Sequence, residues 1–163
     1  MAKNNRYTLK YRRRREGRTD YKKRLSLLKG RKTRVVIRKT NAHTKVQFVD
    51  YEPDGDVVRA AAETGHLEGW KAGTSNLPAA YLAGYAAGVR AKKEGVSEAV
   101  LDFGMQKANA GGRLFAAAKG VMDAGIAVPV AEDALPSEER LLGAHIDESL
   151  AKSVEQVKKK IGA

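Results

Sequence analysis

Cysteine is absent from the 163 residues of this sequence, so disulfide bonds, thiolate zinc ligands and cysteine nucleophiles are excluded. No run of about 18 or more apolar residues occurs, so the sequence predicts neither a membrane-spanning helix nor a membrane partner. The N-terminal residues 1–6 lead into further basic residues instead of an apolar stretch, so no secretory signal is predicted and we expect a cytoplasmic location. A composition of 42% hydrophobic and 31% charged residues excludes wholesale disorder and predicts a folded domain.

Residue patterns that are typical of enzymes are missing as well. The three histidines stand alone and far apart, without a partner at metal-ligand spacing, at His43, His66 and His145. The acidic residues Asp54 and Asp56 lie in a turn-like stretch, where we interpret both as solvated. Neither a G-x-S-x-G nucleophile turn nor a GxxxxGK[ST] phosphate loop occurs. We therefore expect no metal, no cofactor and no catalytic residue.

Acidic residues are also scarce in the first third of the chain, and this is the most informative feature of the sequence. Residues 1–50 contain 18 lysines and arginines against 3 acids, a net charge of +15. Residues 51–163 contain 13 bases and 16 acids, a net charge of −3. A basic segment attached to a nearly neutral body is typical of a protein that binds a polyanion.

Residues 1–18 have the composition of a basic arm. Arg12–Arg15 are four consecutive like charges that would repel one another and would not close on a protein core. Tyr7 and Tyr11 are interleaved with the cations, as is expected where aromatic rings stack on nucleic-acid bases. The alternative is a disordered basic tail that serves as a localisation signal or improves solubility. We favour RNA or DNA binding, because the basic residues continue beyond the arm into the predicted helix and the first strand.

A short helix is predicted to follow the arm, over Tyr21–Lys29. Thr19 or Asp20 offers its N-cap and Gly30 ends it. The apolar spacing predicts that the helix docks by one face and turns its lysines outward. That face is formed by Tyr21, Leu25 and Leu28.

The remaining sequence alternates between strands and helices, which predicts an α/β body with a βαβ crossover. Strands are predicted at residues 34–38, 45–49, 57–62 and 98–103, and helices at residues 76–93 and 113–124. Ala80, Gly84 and Gly88 recur every four residues in the first of these helices and predict a close approach to another backbone, which we interpret as helix-on-sheet packing. We divide the chain into a basic arm with its helix, an α/β body and a C-terminal extension with a helical tail, at residues 1–30, 31–130 and 131–163.

Several motifs resemble one known family. They are RRRREGRTDY at residues 12–21 with RL and LL at 24–25 and 27–28, NLPAAYLAG at 76–84, LDFG at 101–104, FAAAKG at 115–120, DAG at 123–125, and PSEER at 136–140 with Gly143 and HI at 145–146. In this order they resemble the archaeal-type large-ribosomal-subunit protein eighteen family. The resemblance covers residues 6–148 and leaves residues 149–163 without an assignment.

The resemblance implies a fold and a function. The fold would be a small mixed sheet with packed helices, of the ribonuclease-H-like, translational-machinery type, without nuclease activity. The function would be structural: binding of 5S rRNA in the central protuberance of the large ribosomal subunit, with contacts to large-subunit rRNA and to neighbouring 5S-associated ribosomal proteins. We expect the RNA contacts at Tyr11, Arg12, Arg13, Arg14, Arg15, Arg18, Tyr21, Lys22, Lys23, Arg24, Arg31, Lys32, Arg34, Arg38, Asn41, His43 and Lys45.

Two other classes of function remain open from the sequence. One is an enzyme on a ribonuclease-H-like body, which would need clustered carboxylates and a divalent metal. The other is a general nucleoid or membrane-surface protein that uses its basic arm against any polyanion. Cleavage assays with Mg²⁺ or Mn²⁺ would identify the first, and competition between 5S rRNA, duplex DNA and anionic vesicles would identify the second.

Overall fold

A computed structural model describes residues 8–147 and 149–162 of the chain, so Tyr7 lies outside the described residues. Four strands form one mixed sheet in the order β3-β2-β1-β4. They are β1 (Arg34–Lys39), β2 (Thr44–Asp50), β3 (Val57–Glu63) and β4 (Val100–Asp102). Strand β2 is antiparallel to both β1 and β3, whereas β4 is parallel to β1. The α/β class, the mixed sheet and the β1–β2 hairpin are therefore confirmed.

Six α-helices belong to the described part of the chain. They are α1 (Arg12–Arg15), α2 (Tyr21–Lys29), α3 (Leu77–Lys93), α4 (Arg113–Asp123), α5 (Glu138–Leu142) and α6 (Leu150–Gly162). The predicted bounds of α2 are confirmed, and the Asp20 side chain, not that of Thr19, caps it by accepting from the backbone N–H groups of Lys22 and Lys23. None of these helices has the length and apolarity that crossing a bilayer requires.

Strand β4 is shorter than the predicted strand at residues 98–103. Glu98 forms only an isolated bridge to Ala127, so it lies outside the ladder with β1. Beyond Asp102 the chain turns at Gly104, whose φ of +60° is in the left-handed region that favours glycine. The pairing of β4 with β1 therefore covers three residues.

Helices α3 and α4 lie on one face of the sheet and form the core with it. The core-facing side chains of β1 and β2 are fully buried, at Val35, Ile37, Val46 and Phe48. Helix α6 packs on α3 through an amphipathic stripe spaced by four and three residues, at Leu150, Val154 and Val157. The basic helix α2 lies on the other side of the sheet, outside this core.

The glycine spacing in α3 predicted a close backbone approach, and the approach exists, but its partner is a helix. A Cβ atom at Gly84 would overlap the backbone carbonyl of Ala117 in α4, and one at Gly120 of α4 would overlap that of Tyr81. One at Gly88 would lie 2.6 Å from the Cβ of Ala124. The interpretation as helix-on-sheet packing was wrong. A spacing of four residues identifies the face of a helix that packs closely, but it does not determine whether a sheet or another helix packs against that face.

The predicted docking face of α2 was wrong at Leu25, whereas Tyr21 and Leu28 are half-buried. Leu25 is 58% exposed, and the half-buried side chains of the helix include Arg24, Leu27 and Leu28. No residue of α2 is fully buried, and the arm residues 8–18 are all exposed. The helix is thus held on the sheet with little apolar burial, and polar contacts must contribute to its position.

Candidate nucleic-acid interface

The candidate interface lies on the outer face of the sheet, opposite α3 and α4. Side chains alternate between the two faces of a strand, so β1 directs Arg34, Val36 and Arg38 away from the core. The register places Arg38 beside Lys45 of β2 and Val36 beside Gln47. Helix α2 covers part of this face and brings the basic arm to it.

Five charged side chains connect α2 to the turn before β3, to β1 and to β4, and we refer to them as the arginine–aspartate ladder. Arg24 Nη2 of α2 donates to both carboxylate oxygens of Asp56, at 2.8 and 2.9 Å. Arg34 of β1 then joins Asp56 Oδ2, at 2.7 Å, to Asp102 Oδ2 of β4, at 3.2 Å. Arg38 Nη2 reaches Asp102 Oδ1, at 3.2 Å, and completes the ladder. Oppositely charged groups alternate along its whole length.

The ladder corrects two expectations from the sequence. Arg34 was expected on an exposed basic patch, but it is only 2% exposed and its guanidinium group is enclosed between two aspartates. Asp56 was expected to be solvated, but its side chain is only 27% exposed and is ion-paired with two arginines. Its burial raises the pKa, yet the hydrogen bonds from Arg34 and Arg24 outweigh this effect and hold the pKa of Asp56 below its ordinary value.

A polar cavity of about 290 Å³ lies between α2 with the adjoining arm and the outer face of the sheet. Basic side chains dominate its lining, together with three aspartates that belong to the helix cap and to the ladder. The basic ones are Arg13, Arg18, Lys23, Arg24, Arg34 and Arg38. The structure thus brings together predicted site residues that are up to 25 positions apart in the sequence.

The arm residues next to α2 make contacts mostly among themselves. Arg12 and Arg18 both pair with Glu16, at 2.8 and 3.2 Å, and their side chains remain 80% and 66% exposed. The rings of Tyr11 and Tyr21 lie 5.2 Å apart at an angle of 44°, which connects the arm to the first turn of α2. Arg14 and Arg15 are exposed and have no ion-pair partner among the described residues. Their guanidinium groups are therefore available to a phosphate.

The other predicted residues lie around the edges of this surface. Lys22 is exposed, whereas Lys23 Nζ donates to the carbonyl of Gly104, at 3.2 Å. Lys32 pairs with Glu98 at 2.7 Å, close to the exposed Arg31. Both precede β1 and line a separate depression.

The turn of the β1–β2 hairpin holds the weaker candidates. Asn41 is exposed, and the half-buried imidazole of His43 packs against Gly65. Lys45, which follows this turn, is exposed and pairs with Glu63 of β3 at 3.2 Å. These residues lie at the end of the sheet toward which β1 runs.

The glycine-containing connection from β4 to α4, residues 104–112, was a weak candidate for anion binding from the sequence, and it is attached to the same end of the sheet. The Gln106 side chain bonds both the N–H and the carbonyl of Lys39, at 2.9 and 2.6 Å, as another strand would. Arg113 donates to the Thr40 carbonyl at 3.2 Å. The loop thereby holds the exposed Lys107 beside the hairpin turn. The polar, glycine-flanked composition of this connection was visible in the sequence, but its attachment to the hairpin was not, because the contacts join residues 67 to 73 positions apart.

Metal-binding geometry does not occur in the described ranges, where no three histidine or carboxylate side chains converge on one point. The two carboxylates of the ladder, Asp56 and Asp102, both accept from Arg34 and each pairs with one further arginine. This face presents hydrogen-bond donors and positive charge, and it is suited to binding an anionic polymer.

Comparisons with known proteins agree in their result. The family model described as "Ribosomal large subunit proteins 60S L5, and 50S L18" matches residues 5–98. The large ribosomal subunit protein uL18 of Korarchaeum cryptofilum is 54% identical over 158 residues, which are 96% of this chain and 80% of that protein. The uL18 protein of Haloarcula marismortui is 47% identical over 150 residues, covering 91% of the chain and 80% of the relative. The uL18 protein of Methanoregula boonei is 45% identical over 165 residues, which cover 96% of this chain and 95% of the relative.

Proposed function

Because this chain belongs to the uL18 family of large-ribosomal-subunit proteins, we propose that it binds 5S rRNA and helps attach it to the large-subunit rRNA in the central protuberance. Membership of the family makes it a structural component of the cytoplasmic ribosome and not an enzyme. The proposed partners are 5S rRNA, large-subunit rRNA and neighbouring 5S-associated ribosomal proteins. The ribonuclease-H-like assignment of the mixed sheet belongs to the same proposal.

The distribution of charge is the observation that carries this proposal. The net charge of residues 1–50 is +15, and six of their basic side chains, from the arm, α2 and the outer face of the sheet, line one cavity. Arginine binds phosphate oxygens through two parallel N–H donors, so a cluster of exposed arginines matches an RNA backbone. Electrostatic attraction of this kind depends on salt, because each phosphate that is neutralised releases counterions.

We assign different tasks to the arm and to the sheet. Arg12–Arg15 and Arg18 clamp closely spaced phosphates, and Lys22 extends this contact along α2. The outer face of the sheet, with Arg38 at the edge of the cavity, supplies a rigid surface that reads the shape of folded RNA and its 2′-hydroxyl groups. Tyr11 and Tyr21 already face each other, so a base that stacks on either ring must enter beside this pair.

Filter binding at several salt concentrations tests the proposal. Replacement of Arg12–Arg15 by alanine removes up to four phosphate contacts, so the slope of log K against log salt should become flatter by about 2–4 units. A matched control replaces four exposed lysines far along the chain and removes the same charge. It should change the slope by less than one unit, since phosphates that are not contacted contribute little. The control positions are Lys92, Lys93, Lys159 and Lys160.

A second RNA of similar length separates specific from general binding. The intact protein should prefer 5S rRNA, and the arginine-to-alanine variant should keep part of that preference through shape recognition by the body. Equal slopes for the two four-residue variants would show that Arg12–Arg15 do not reach phosphate. Equal affinity of the intact protein for both RNAs would leave a general polyanion binder and would refute the proposed function.

A further inference from the structure

We propose that Asp56 is a positioning residue whose carboxylate fixes α2 on the outer face of the sheet and so presents the basic side chains of this helix in one orientation. The inference rests on the proposed function, since it assumes that RNA contacts α2. Asp56 does not contact the RNA in this proposal. It acts only through Arg24, and RNA binding depends on the fraction of molecules in which α2 is docked.

Helix α2 needs such a tether because its apolar packing is weak. None of its nine residues is fully buried, and Leu25 points to solvent. Leu27 and Leu28 are only partly buried. A nine-residue helix has little stability of its own in water, so contacts with the body must hold it in place.

The geometry at Asp56 is suited to this task. Both of its carboxylate oxygens accept from the same Arg24 nitrogen, at 2.8 and 2.9 Å. Asp56 also accepts a hydrogen bond from Arg34, at 2.7 Å. Arg34 is only 2% exposed, and it donates a second bond to Asp102. The charge that receives Arg24 is therefore fixed to two strands of the sheet before α2 docks. A preorganised acceptor keeps more of the interaction energy than a mobile surface carboxylate does.

The second polar tether of α2 is weaker by comparison. Lys23 Nζ donates to the carbonyl of Gly104 at 3.2 Å, a single bond to a neutral acceptor. Lys23 also lines the cavity, so a phosphate that enters the cavity competes with this bond. Arg24 lines the same cavity, but its two short bonds to the charged carboxylate of Asp56 resist such competition better than a single bond to a neutral carbonyl does.

The sign of one mutational effect distinguishes positioning from simple electrostatics. The variant Asp56→Asn removes a negative charge from the basic surface, and electrostatics alone predicts tighter RNA binding. If Asp56 positions α2, the docked fraction falls instead, and the apparent affinity falls by the same factor. A docked fraction of about one tenth to one third would weaken 5S rRNA binding about three- to tenfold.

The neighbouring Asp54 provides a matched control. It lies in the same turn, is exposed and has no ion-pair partner within the described ranges. The variant Asp54→Asn changes the charge by the same amount and should bind 5S rRNA as well as the wild type or slightly better. The variant Asp56→Glu keeps the carboxylate and should recover part of the lost affinity.

Limited trypsin digestion of the free protein measures the docking of α2 without RNA. Cleavage after Lys22 and Lys29, followed by mass spectrometry, should be faster in Asp56→Asn than in Asp54→Asn. A further pair of variants, Arg24→Met and Lys22→Met, each removes one positive charge from α2. Only Arg24→Met should accelerate cleavage after Lys29, because only Arg24 bonds to Asp56. This pair leaves the Asp56–Arg34 bond intact, so it applies even where Asp56→Asn does not fold.

Two results would overturn the inference. One is an Asp56→Asn protein that folds and binds 5S rRNA as tightly as Asp54→Asn does. The other is equal rates of cleavage in Arg24→Met and Lys22→Met. A wild-type protein without preference for 5S rRNA would refute the proposed function instead, and the cleavage rates would still decide the role of Asp56.

Discussion

The two helical regions on opposite faces of the sheet are held by different forces. Helices α3 and α4 meet through glycine and alanine, so closely that a Cβ atom at Gly84 has no space. Helix α2 has no buried residue and is attached by the ion pair of Arg24 with Asp56 and by one lysine hydrogen bond. Steric fit in a dry core does not respond to salt, whereas partly exposed ion pairs do. The region assigned to RNA binding is therefore the one whose position the surrounding ions and charges can change.

The largest expected effect of a single substitution comes from filling the space between α3 and α4. Gly84→Ala places a methyl group against the backbone of Ala117, so the helices must separate, and we expect a loss of about 3 kcal/mol in the free energy of unfolding. Gly30→Ala at the end of α2 is the control, because a Cβ atom there would lie 3.5 Å from the Leu27 carbonyl oxygen, an ordinary contact. Urea denaturation measures both. Equal stability of the two variants would show that α3 and α4 are packed no more tightly than α2 is.

The glycine spacing illustrates how far the sequence alone could lead. The four-residue recurrence of Gly84 and Gly88 was enough to predict a close approach, because glycine in a helix is unfavourable unless its lack of a side chain is used. It could not identify the partner, since Gly120 is the only glycine within α4 and forms no repeat there. The strands were also predictable, because the alternation of apolar and polar residues along a strand is a local property of the sequence.

Residues that depend on distant partners were not predictable. Leu25 and Arg24 are adjacent, and Tyr21 and Leu28 share a helix face with either of them. Whether the face with Leu25 or the face with Arg24 docks on the sheet is determined by Asp56, which lies 32 positions away from Arg24. In the same way, the alternation along β1 placed Arg34 on the outer face, but the two aspartates that bury it come from separate segments. Local patterns determine elements, whereas long-range charge pairs determine which basic residues remain free.

An intermediate effect is expected from the buried part of the ladder. Asp102 accepts from Arg34, from Arg38 and from the backbone N–H of Gly104 at 2.8 Å. Asp102→Asn leaves Arg34 with one ionised partner instead of two, and we expect a loss of about 2 kcal/mol in the free energy of unfolding.

The control for Asp102→Asn is Glu16→Gln, which removes the exposed pairs of Glu16 with Arg12 and Arg18. Exposed pairs contribute little, so we expect a change below about 0.5 kcal/mol. Denaturation in low and high salt checks the comparison. If the two variants lose the same stability, the ladder contributes no more than a surface ion pair.

The smallest effect on stability is expected from removing the arm itself. Deletion of residues 1–18 removes a segment of net charge +7, and its described part, residues 8–18, is fully exposed. The deletion loses the contact between Tyr11 and Tyr21 but also relieves repulsion with the lysines of α2. These effects oppose each other, so the free energy of unfolding should change by less than about 1 kcal/mol.

Deletion of residues 150–163 is the contrasting case, since it removes three buried side chains of α6. Each buried valine or leucine contributes about 1.5–3 kcal/mol, so this truncation should destabilise the body severely. Circular dichroism during thermal unfolding compares the two truncations. The arm deletion should retain the wild-type spectrum and melting temperature while it loses most of the salt dependence of RNA binding. Global unfolding of the arm deletion would mean that residues 1–18 are part of the folded body, and the boundary between arm and body would then be wrong.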